Sequence, residues 1–313
     1  MRILMFGRGV IATVYGQALQ TAGHDVEFYV RPGRAAQYGD EVRLDVHDAR
    51  RNPLARPIRR TFATRLRESV EPGDEFDLVV LSVSHDHLAD AAAFLAPRVG
   101  GATVLVFGNV WDEPLAAVAP IPAEQVVFGF PQAGGGFGDD GVLHAGLLRT
   151  VIVGTAGASA SDRELAVQSA FRRAGFTIRE EKDMRGWLFL HFVADAGMFA
   201  QGVRSGGMAR MVGDRRAFRD AFLTGRDLLP VLEARGVDLR RHRTAVLPLR
   251  HPALVARAMA WATARIPIAR ASLAAHTDSN AAEPRAVLRD MLRETRRLGI
   301  PAPRLEAPVQ AAA

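Results

Sequence analysis

The sequence predicts an α/β protein in which a doubly wound parallel sheet is followed by an all-helical C-terminal domain. Three observations predict this fold class. An apolar strand at the start of the chain runs directly into a glycine-rich turn and a helix. Apolar strands then alternate with helical segments as far as residue 180, which is typical of a parallel sheet. After that point only helical spacing remains. We therefore predict two domains, residues 1–180 and 181–313.

The first element is a buried strand over Arg2–Phe6 that enters a helix through Gly7-Arg8-Gly9-Val10-Ile11-Ala12. In this G-x-G-x-x-A pattern, Gly7 allows a tight turn, Gly9 lets a pyrophosphate approach the main chain, and Ala12 lets the helix pack closely on the strand. The helix then presents unpaired N–H groups to the phosphates. Because a second strand follows over Val26–Val30, the pattern predicts a Rossmann-type dinucleotide site. The alternative is a purely structural turn.

The end of the second strand indicates which dinucleotide would bind. An NAD site places an Asp or Glu there to bind the ribose 2′-hydroxyl. This chain has Arg31-Pro32-Gly33-Arg34 instead. An arginine can bind a 2′-phosphate through two hydrogen bonds, whereas a carboxylate would repel it. The sequence therefore predicts NADP (NADPH) with Arg31 as a ligand, although these residues could also be ordinary surface arginines.

The remaining elements follow from apolar runs and helical spacing. Strands are predicted over 77–83, 103–107, 125–130 and 148–153, with a short one at Thr177-Ile178. Helices are predicted over 12–22, 87–96, 187–198, 216–235, 252–264 and 284–298. The glycine-rich segment 134–141 is predicted to be a surface loop.

Composition excludes several classes of function. The chain has 313 residues, 48% of them hydrophobic, and a net charge of +6, but Lys182 is its only lysine and the arginines are scattered. We therefore expect no nucleic-acid partner. The absence of cysteine removes disulfides, thiolate catalysis and Cys-ligated metals, and no metal site is predicted. The longest apolar stretch, 187–200, is too short to span a bilayer, and no signal peptide is recognised, so we expect a cytoplasmic protein.

The sequence resembles the ketopantoate reductase family. The resemblance rests on Gly7–Ala12, Val30-Arg31, Phe107-Gly108-Asn109, residues 141–146 and residues 297–303. It implies an NADPH-dependent reductase of a small substrate. It also implies that the C-terminal domain is 6-phosphogluconate-dehydrogenase-like and carries the substrate site and the surface of a homodimer.

The resemblance assigns roles to two residues near the cofactor. It places Asn109 in the cleft, close to the nicotinamide and the substrate. The alternative is an asparagine favoured in a turn for its own backbone hydrogen bonds. Ser84 stands near the cofactor, where the family carries a lysine.

The family's catalytic lysine is missing from this chain. The family carries W-x-K-L, with asparagines four and eight residues after the lysine. Aligning Trp187 with that tryptophan places Phe189, Val193 and Gly197 at these positions, which share one helical face. A ketone reductase needs a proton donor or a cation near the carbonyl oxygen. Phenylalanine supplies neither.

Two other residues are candidates for this chemistry. His191 and Asp195 are one turn apart and can form an acid–base pair, roughly 200° around the helix from Phe189 at about 100° per residue. They could equally be a buried His satisfied by a neighbouring Asp. Glu283 aligns with a substrate-site glutamate of the family, but Asn280-x-x-Glu283 is also a capping-box pattern.

Together these features predict an NADP-dependent oxidoreductase acting on CH–OH or CH–NH groups. It would reduce a carbonyl or imine of a small organic substrate other than ketopantoate. Hydride would pass near Asn109, with His191 or Glu283 as the proton source. Two alternatives stay open: an NADP(H)-binding sensor without catalysis, and a true 2-dehydropantoate 2-reductase.

Overall fold

The chain divides into two compact units in the computed structural model, Met1–Arg185 and Gly186–Ala313. The structure describes residues 1–50, 52–54, 56–154, 161–274 and 282–306. The predicted domain boundary of 180 lies close to this division. The functions assigned to the two domains stay predictions.

The described residues of the N-terminal unit contain twelve strands. In chain order they are β1 (Arg2–Phe6), β2 (Asp25–Tyr29), β3 (Glu41–Asp48), β4 (Ile58–Ala63), β5 (Leu66–Arg67), β6 (Leu78–Leu81), β7 (Thr103–Phe107), β8 (Val126–Phe130), β9 (Ala133–Phe137), β10 (Leu143–Leu147), β11 (Thr150–Gly154) and β12 (Thr177–Glu180). Its helices are α1 (Val10–Thr21), α2 (Ala35–Tyr38), α3 (Leu88–Leu95), α4 (Pro114–Ala117) and α5 (Asp162–Arg173).

Eight of the strands form one large sheet in the order β12-β11-β8-β7-β6-β1-β2-β5. The strands from β8 to β5 in this order are parallel, whereas β11 runs antiparallel to β8. Parallel strands covered on both faces need apolar residues at successive positions, and β6, β7 and β8 are buried throughout. The predicted doubly wound sheet is confirmed, with one antiparallel junction at β11.

Helix α1 packs against the large sheet at Gly16. A methyl group on Gly16 would lie 2.5 Å from the ring of Phe28 in β2, so only glycine allows this close approach. Tyr15 is fully buried beside it, and its hydroxyl accepts a hydrogen bond from the Gln132 backbone N–H at 3.0 Å. Ala12, which the G-x-G-x-x-A pattern predicts at the close helix–strand contact, is also buried, but the pattern does not indicate Gly16.

A second sheet of four strands, β4-β3-β10-β9, covers the other side of α1. The prediction of a surface loop over 134–141 is wrong for its first part, because β9 pairs with β10 from Ala133 to Phe137. Glycine is needed there for close packing. A methyl group on Gly135 would lie 2.9 Å from the Val10 side chain at the start of α1.

The described residues of the C-terminal unit contain only helices. They are α6 (Met184–Ser205), which begins at the end of the first unit, α7 (Arg215–Asp227), α8 (Leu229–Ala234), α9 (Arg243–Arg250), α10 (Pro252–Arg265), α11 (Pro267–Ala274) and α12 (Ala282–Leu298). The predicted helix over 216–235 is two helices, because Pro230 cannot donate a backbone hydrogen bond and instead starts α8. None of the described helices combines the length and apolarity needed to cross a bilayer.

Candidate functional site

Most of the predicted cofactor residues lie along one edge of the large sheet. Strands β7, β6, β1, β2 and β5 are neighbours and run parallel, so their carboxyl ends meet at the same edge. Ligands of open α/β sheets bind at this edge. The residues that follow these strands are Asn109 after β7, Ser84 after β6, Gly7–Ala12 after β1, Arg31 after β2 and Glu68 after β5.

The turn between β1 and α1 has the geometry expected of a phosphate-binding loop. Gly7 has a φ of +105°, which favours glycine, and its N–H donates to the Tyr29 carbonyl at 2.9 Å. Gly9 has ordinary extended backbone angles, and a methyl group on it would meet no protein atom within 4 Å. Because neither its backbone nor the protein's packing requires glycine at Gly9, the open space fits a ligand that approaches the main chain.

Arg8 supports this turn with its side chain. Its guanidinium donates to the Glu41 carbonyl at 3.0 Å and lies 4.8 Å from the centre of the Tyr38 ring. Burial lowers the pKa of the Arg8 guanidinium below its usual value. The side chain therefore attaches the turn to α2 and β3. If the turn binds a phosphate, the main chain of Arg8 would bind it rather than the side chain.

Ser84 and Asn109 occupy the middle of the edge. The Ser84 hydroxyl donates to the carboxylate of Asp86, so this side chain is already engaged within its own turn. Asn109 follows β7 after Gly108 and is buried, with 9% of its surface exposed. A buried amide at the carboxyl edge of the sheet is suited to bind a polar ligand group.

The turn after β2 surrounds a carboxylate that the sequence analysis did not identify. Arg31 is exposed, and its carbonyl accepts from the Arg34 N–H at 3.0 Å. The Glu68 carboxylate accepts a hydrogen bond from the Ala35 N–H at 2.7 Å. The backbone N–H groups of this turn, that of Ala35 first, lower the pKa of Glu68. The strand that precedes Glu68, β5, has only two residues and is too short for sequence patterns to indicate.

In the C-terminal unit, the apolar face of α6 is part of the core. Phe189 and Val193 are fully buried. A methyl group on Gly197 would lie 2.5 Å from the Ala221 carbonyl oxygen and 3.1 Å from the Gly225 nitrogen, both in α7. This face therefore packs against α7 and cannot present polar groups to a ligand.

His191 and Asp195 lie on another face of α6. The His191 Nε2 is 3.4 Å from the Asp195 Oδ1, and the two side chains keep 32% and 23% of their surface exposed. The His191 ring stacks on the Trp187 ring with centroids 5.0 Å apart. Of the two interpretations left open above, the exposure favours an accessible pair over a core histidine.

Glu283 is the last residue of the predicted set, and Lys182, the only lysine of the chain, does not belong to it. Glu283 lies half-buried in the first turn of α12, while Asn280, its proposed capping partner, is outside the described residues. Lys182 is exposed in the turn before α6. Within the described parts of the chain, no three His, Asp or Glu side chains come together as a metal site requires.

Residues 3–157 match the family model described as ketopantoate reductase PanE/ApbA. The chain belongs to the ketopantoate reductase superfamily. Among curated proteins, no sequence matches it.

Solved structures extend the likeness of the fold to the whole chain. A 2-dehydropantoate 2-reductase from Geobacter metallireducens GS-15 is similar at a TM-score of 0.71 and 19% identity, with 100% of both chains covered. A D-mandelate dehydrogenase in complex with NADH has a TM-score of 0.71 at 12% identity, covering 99% of this chain and 97% of that one. Its ternary complex with NADH and anilino(oxo)acetate has a TM-score of 0.69 at 13% identity, with 99% and 96% covered.

The glycine turn lies within the matched residues 3–157, whereas α6 lies outside them. The α6 positions where the resemblance predicts a lysine and two asparagines carry Phe189, Val193 and Gly197, which pack in the core. His191 and Asp195 are partly exposed polar groups on another face of α6.

Proposed function

We propose that this chain is an NAD(P)H-dependent oxidoreductase that reduces a carbonyl or imine of a small organic substrate. The observation that carries the proposal is the turn at Gly7–Ala12, which leaves open space above Gly9 at the carboxyl edge of the sheet. Membership of the ketopantoate reductase superfamily supports it. In this proposal the N-terminal unit binds the cofactor and the C-terminal unit contributes substrate-binding and proton-transfer groups.

The residues present fit a nicotinamide dinucleotide. The main chain of Gly7–Ala12 would hold the pyrophosphate, and the Asn109 amide would bind a polar group of the nicotinamide or the substrate. We expect NADPH to be preferred, because Arg31 and Arg34 are exposed at the end of β2 and can bind a 2′-phosphate. When bound, the reduced cofactor supplies the hydride.

His191 is the proposed proton donor. Hydride addition to a C=O or C=N carbon leaves negative charge on the oxygen or nitrogen, and a positioned imidazolium can donate its proton there. Asp195, 3.4 Å away, stabilises the charged imidazole and orients it. Glu283 would bind a hydroxyl or amine group of the substrate. We expect the substrate to be a 2-oxo acid, ketone or imine other than ketopantoate. The reason is that this chain has apolar residues where the family resemblance predicts the lysine and the two asparagines.

Binding and turnover test the proposal separately. Purified protein should bind NADPH in a fluorescence titration and oxidise it with at least one member of a panel of 2-oxo acids, ketones and imines. His191→Asn should lower kcat by about a hundredfold, the contribution typical of a general acid, while leaving the Kd of NADPH unchanged. The exposed His251 offers a matched control, because His251→Asn removes an imidazole at the junction of α9 and α10.

Other outcomes would identify a different function. If His191→Asn and Glu283→Gln both retain full turnover, the assignment of the proton source is wrong. Tight NADPH binding without oxidation across the panel would indicate a non-catalytic sensor, and turnover of ketopantoate would indicate a true 2-dehydropantoate 2-reductase. The apolar residues on this face of α6 do not favour the sensor hypothesis, because the packing of this face against α7 already explains why they are apolar.

A further inference from the structure

We propose that Glu68 is a specificity-determining residue for the cofactor, because it places a fixed negative charge beside the arginines that would bind a 2′-phosphate. The inference rests on the proposed function and concerns the adenosine end of the same site. Glu68 would weaken the binding of NADPH and leave that of NADH unaffected. The two arginines and this carboxylate would together set the ratio of the two affinities.

The strand pairing brings Glu68 to the end of β2. Strand β5 runs parallel to β2, with Phe28 opposite Leu66 and Tyr29 opposite Arg67. The Val30 N–H donates to the Arg67 carbonyl at 2.9 Å, which extends the pairing by one residue. In this register Glu68 is opposite Val30, the residue before Arg31. Glu68 and Arg31 therefore lie at the same edge of the sheet.

The turn itself holds the carboxylate in place. Residues 31–34 form a turn closed by the hydrogen bond from the Arg34 N–H to the Arg31 carbonyl. The Ala35 N–H donates to the Glu68 Oε1 at 2.7 Å. This bond favours the ionised form of the carboxylate. The charge is thus fixed within the segment that carries both arginines.

Among the described residues, no cationic side chain forms an ion pair with Glu68 within 4.0 Å. The neighbouring Arg67 is engaged elsewhere, with ion pairs to Asp74 at 2.6 Å and Glu27 at 3.3 Å. Arg34 donates to the Gln37 side chain at 2.6 Å. No ion pair joins Glu68 to a described Arg, Lys or His side chain, so its carboxylate opposes the positive charge of Arg31 and Arg34.

A 2′-phosphate would meet this opposing charge, whereas a 2′-hydroxyl would not. A phosphate monoester carries roughly −1.5 to −2 charges at neutral pH. A nearby carboxylate disfavours binding of this charged phosphate. The Ala35 N–H, which donates to Glu68, is not available to bind the phosphate. NADH lacks the phosphate, so its affinity should depend little on the charge at Glu68.

The test is the isosteric variant Glu68→Gln. Its amide oxygen can still accept from the Ala35 N–H, so the turn keeps its main hydrogen bond while the charge is removed. We expect the Kd of NADPH to fall about tenfold and that of NADH to change less than twofold, as measured by fluorescence titration. Glu71→Gln is the matched control, because Glu71 is exposed three positions later in the chain and should leave both constants unchanged.

Salt dependence provides a second measurement. Screening weakens repulsion between exposed charges, so the difference in NADPH affinity between wild type and Glu68→Gln should shrink at high ionic strength. An unchanged ratio of NADPH to NADH affinity in Glu68→Gln would overturn the inference and leave Glu68 as a structural support of the turn. That result differs from failure of the proposed function, in which wild type would bind neither dinucleotide.

Discussion

The two units assemble their candidate functional groups in different ways. The N-terminal unit uses main chain at a sheet edge, where the turn of Gly7–Ala12 depends on backbone angles and on the absence of side chains. The C-terminal unit has to use side chains, and the α6 positions where the family resemblance predicts polar residues lie in the core. A backbone site survives as long as the fold does. A side-chain site can be lost, or can move to another face of its helix, through a few substitutions.

The strongest test of this contrast is Phe189→Ala. Phe189 is fully buried and the Arg235 guanidinium lies 4.0 Å from its ring centre, so its truncation should cost about 4 kcal/mol of unfolding free energy. His191→Ala, on the accessible face, should cost less than about 1 kcal/mol. Chemical denaturation of both variants measures the difference. If Phe189→Ala keeps its stability and loses turnover, the apolar face belongs to the active site and the contrast between the units fails.

Two glycines of the N-terminal unit sharpen the contrast further. Gly16→Ala places a methyl group 2.5 Å from the Phe28 ring and should cost about 2 kcal/mol of stability, as overpacking does. Gly9→Ala adds a methyl group to open space, so its thermal midpoint should match that of wild type. We expect its affinity for NADPH to fall at least about tenfold, which is about 1.4 kcal/mol. Equal loss of stability in both variants would show that Gly9 serves folding.

Asp48 gives a smaller effect that depends on pH. Its carboxylate binds Arg50 with bonds of 2.6 to 3.1 Å, and Arg50 in turn donates to the Ala174 carbonyl. Burial opposes ionisation of Asp48, but the hydrogen bonds and charge of Arg50 outweigh it, so the pKa of Asp48 lies below its usual value. This pair therefore stabilises the fold above the unfolded pKa of about 3.9, and the stabilisation is lost as pH falls through the folded pKa.

Asp48→Asn should accordingly lower the stability of the N-terminal unit by about 1–2 kcal/mol at pH 7, between the values for exposed and buried pairs. Denaturant titrations at several pH values measure this loss. The difference from wild type should disappear below the folded pKa of Asp48. A difference that stays constant down to strongly acidic pH would contradict the assigned role of the charge.

The sequence was most informative where one residue type has one physical reason. Uninterrupted apolar runs predicted β6, β7 and β8 because parallel strands are buried on both faces, and Gly7 predicted the turn because of its backbone angle. The small sheet was not predicted. β9 is rich in glycine, which indicates a loop, but β3 alternates apolar and charged residues as a half-buried strand does, and this signal was overlooked. Glycine marks turns and close packing alike, and at Gly135 the neighbouring His144, Ala145 and Val10 show that close packing requires it.

The candidate site shows the same limit. The pattern of residues i and i+4 predicted that His191 and Asp195 could pair, but the face of α6 that packs against α7 depends on contacts at Ala221 and Gly225. Glu68 was missed because its strand has two residues and its partners are backbone N–H groups. Its closeness to Arg31 follows from the pairing of β5 with β2, which lie about forty residues apart in the chain.

The pairing of β3 with β10 has a consequence for how the protein forms. Leu44 lies opposite Leu143, so this parallel contact closes a loop of about a hundred residues and carries a correspondingly large entropic cost. The second sheet can cover α1 only after the chain has been made as far as Leu147. Until then α1 can pack only against the large sheet. The contact of Gly135 with Val10 forms only when β9 and β10 have joined β3.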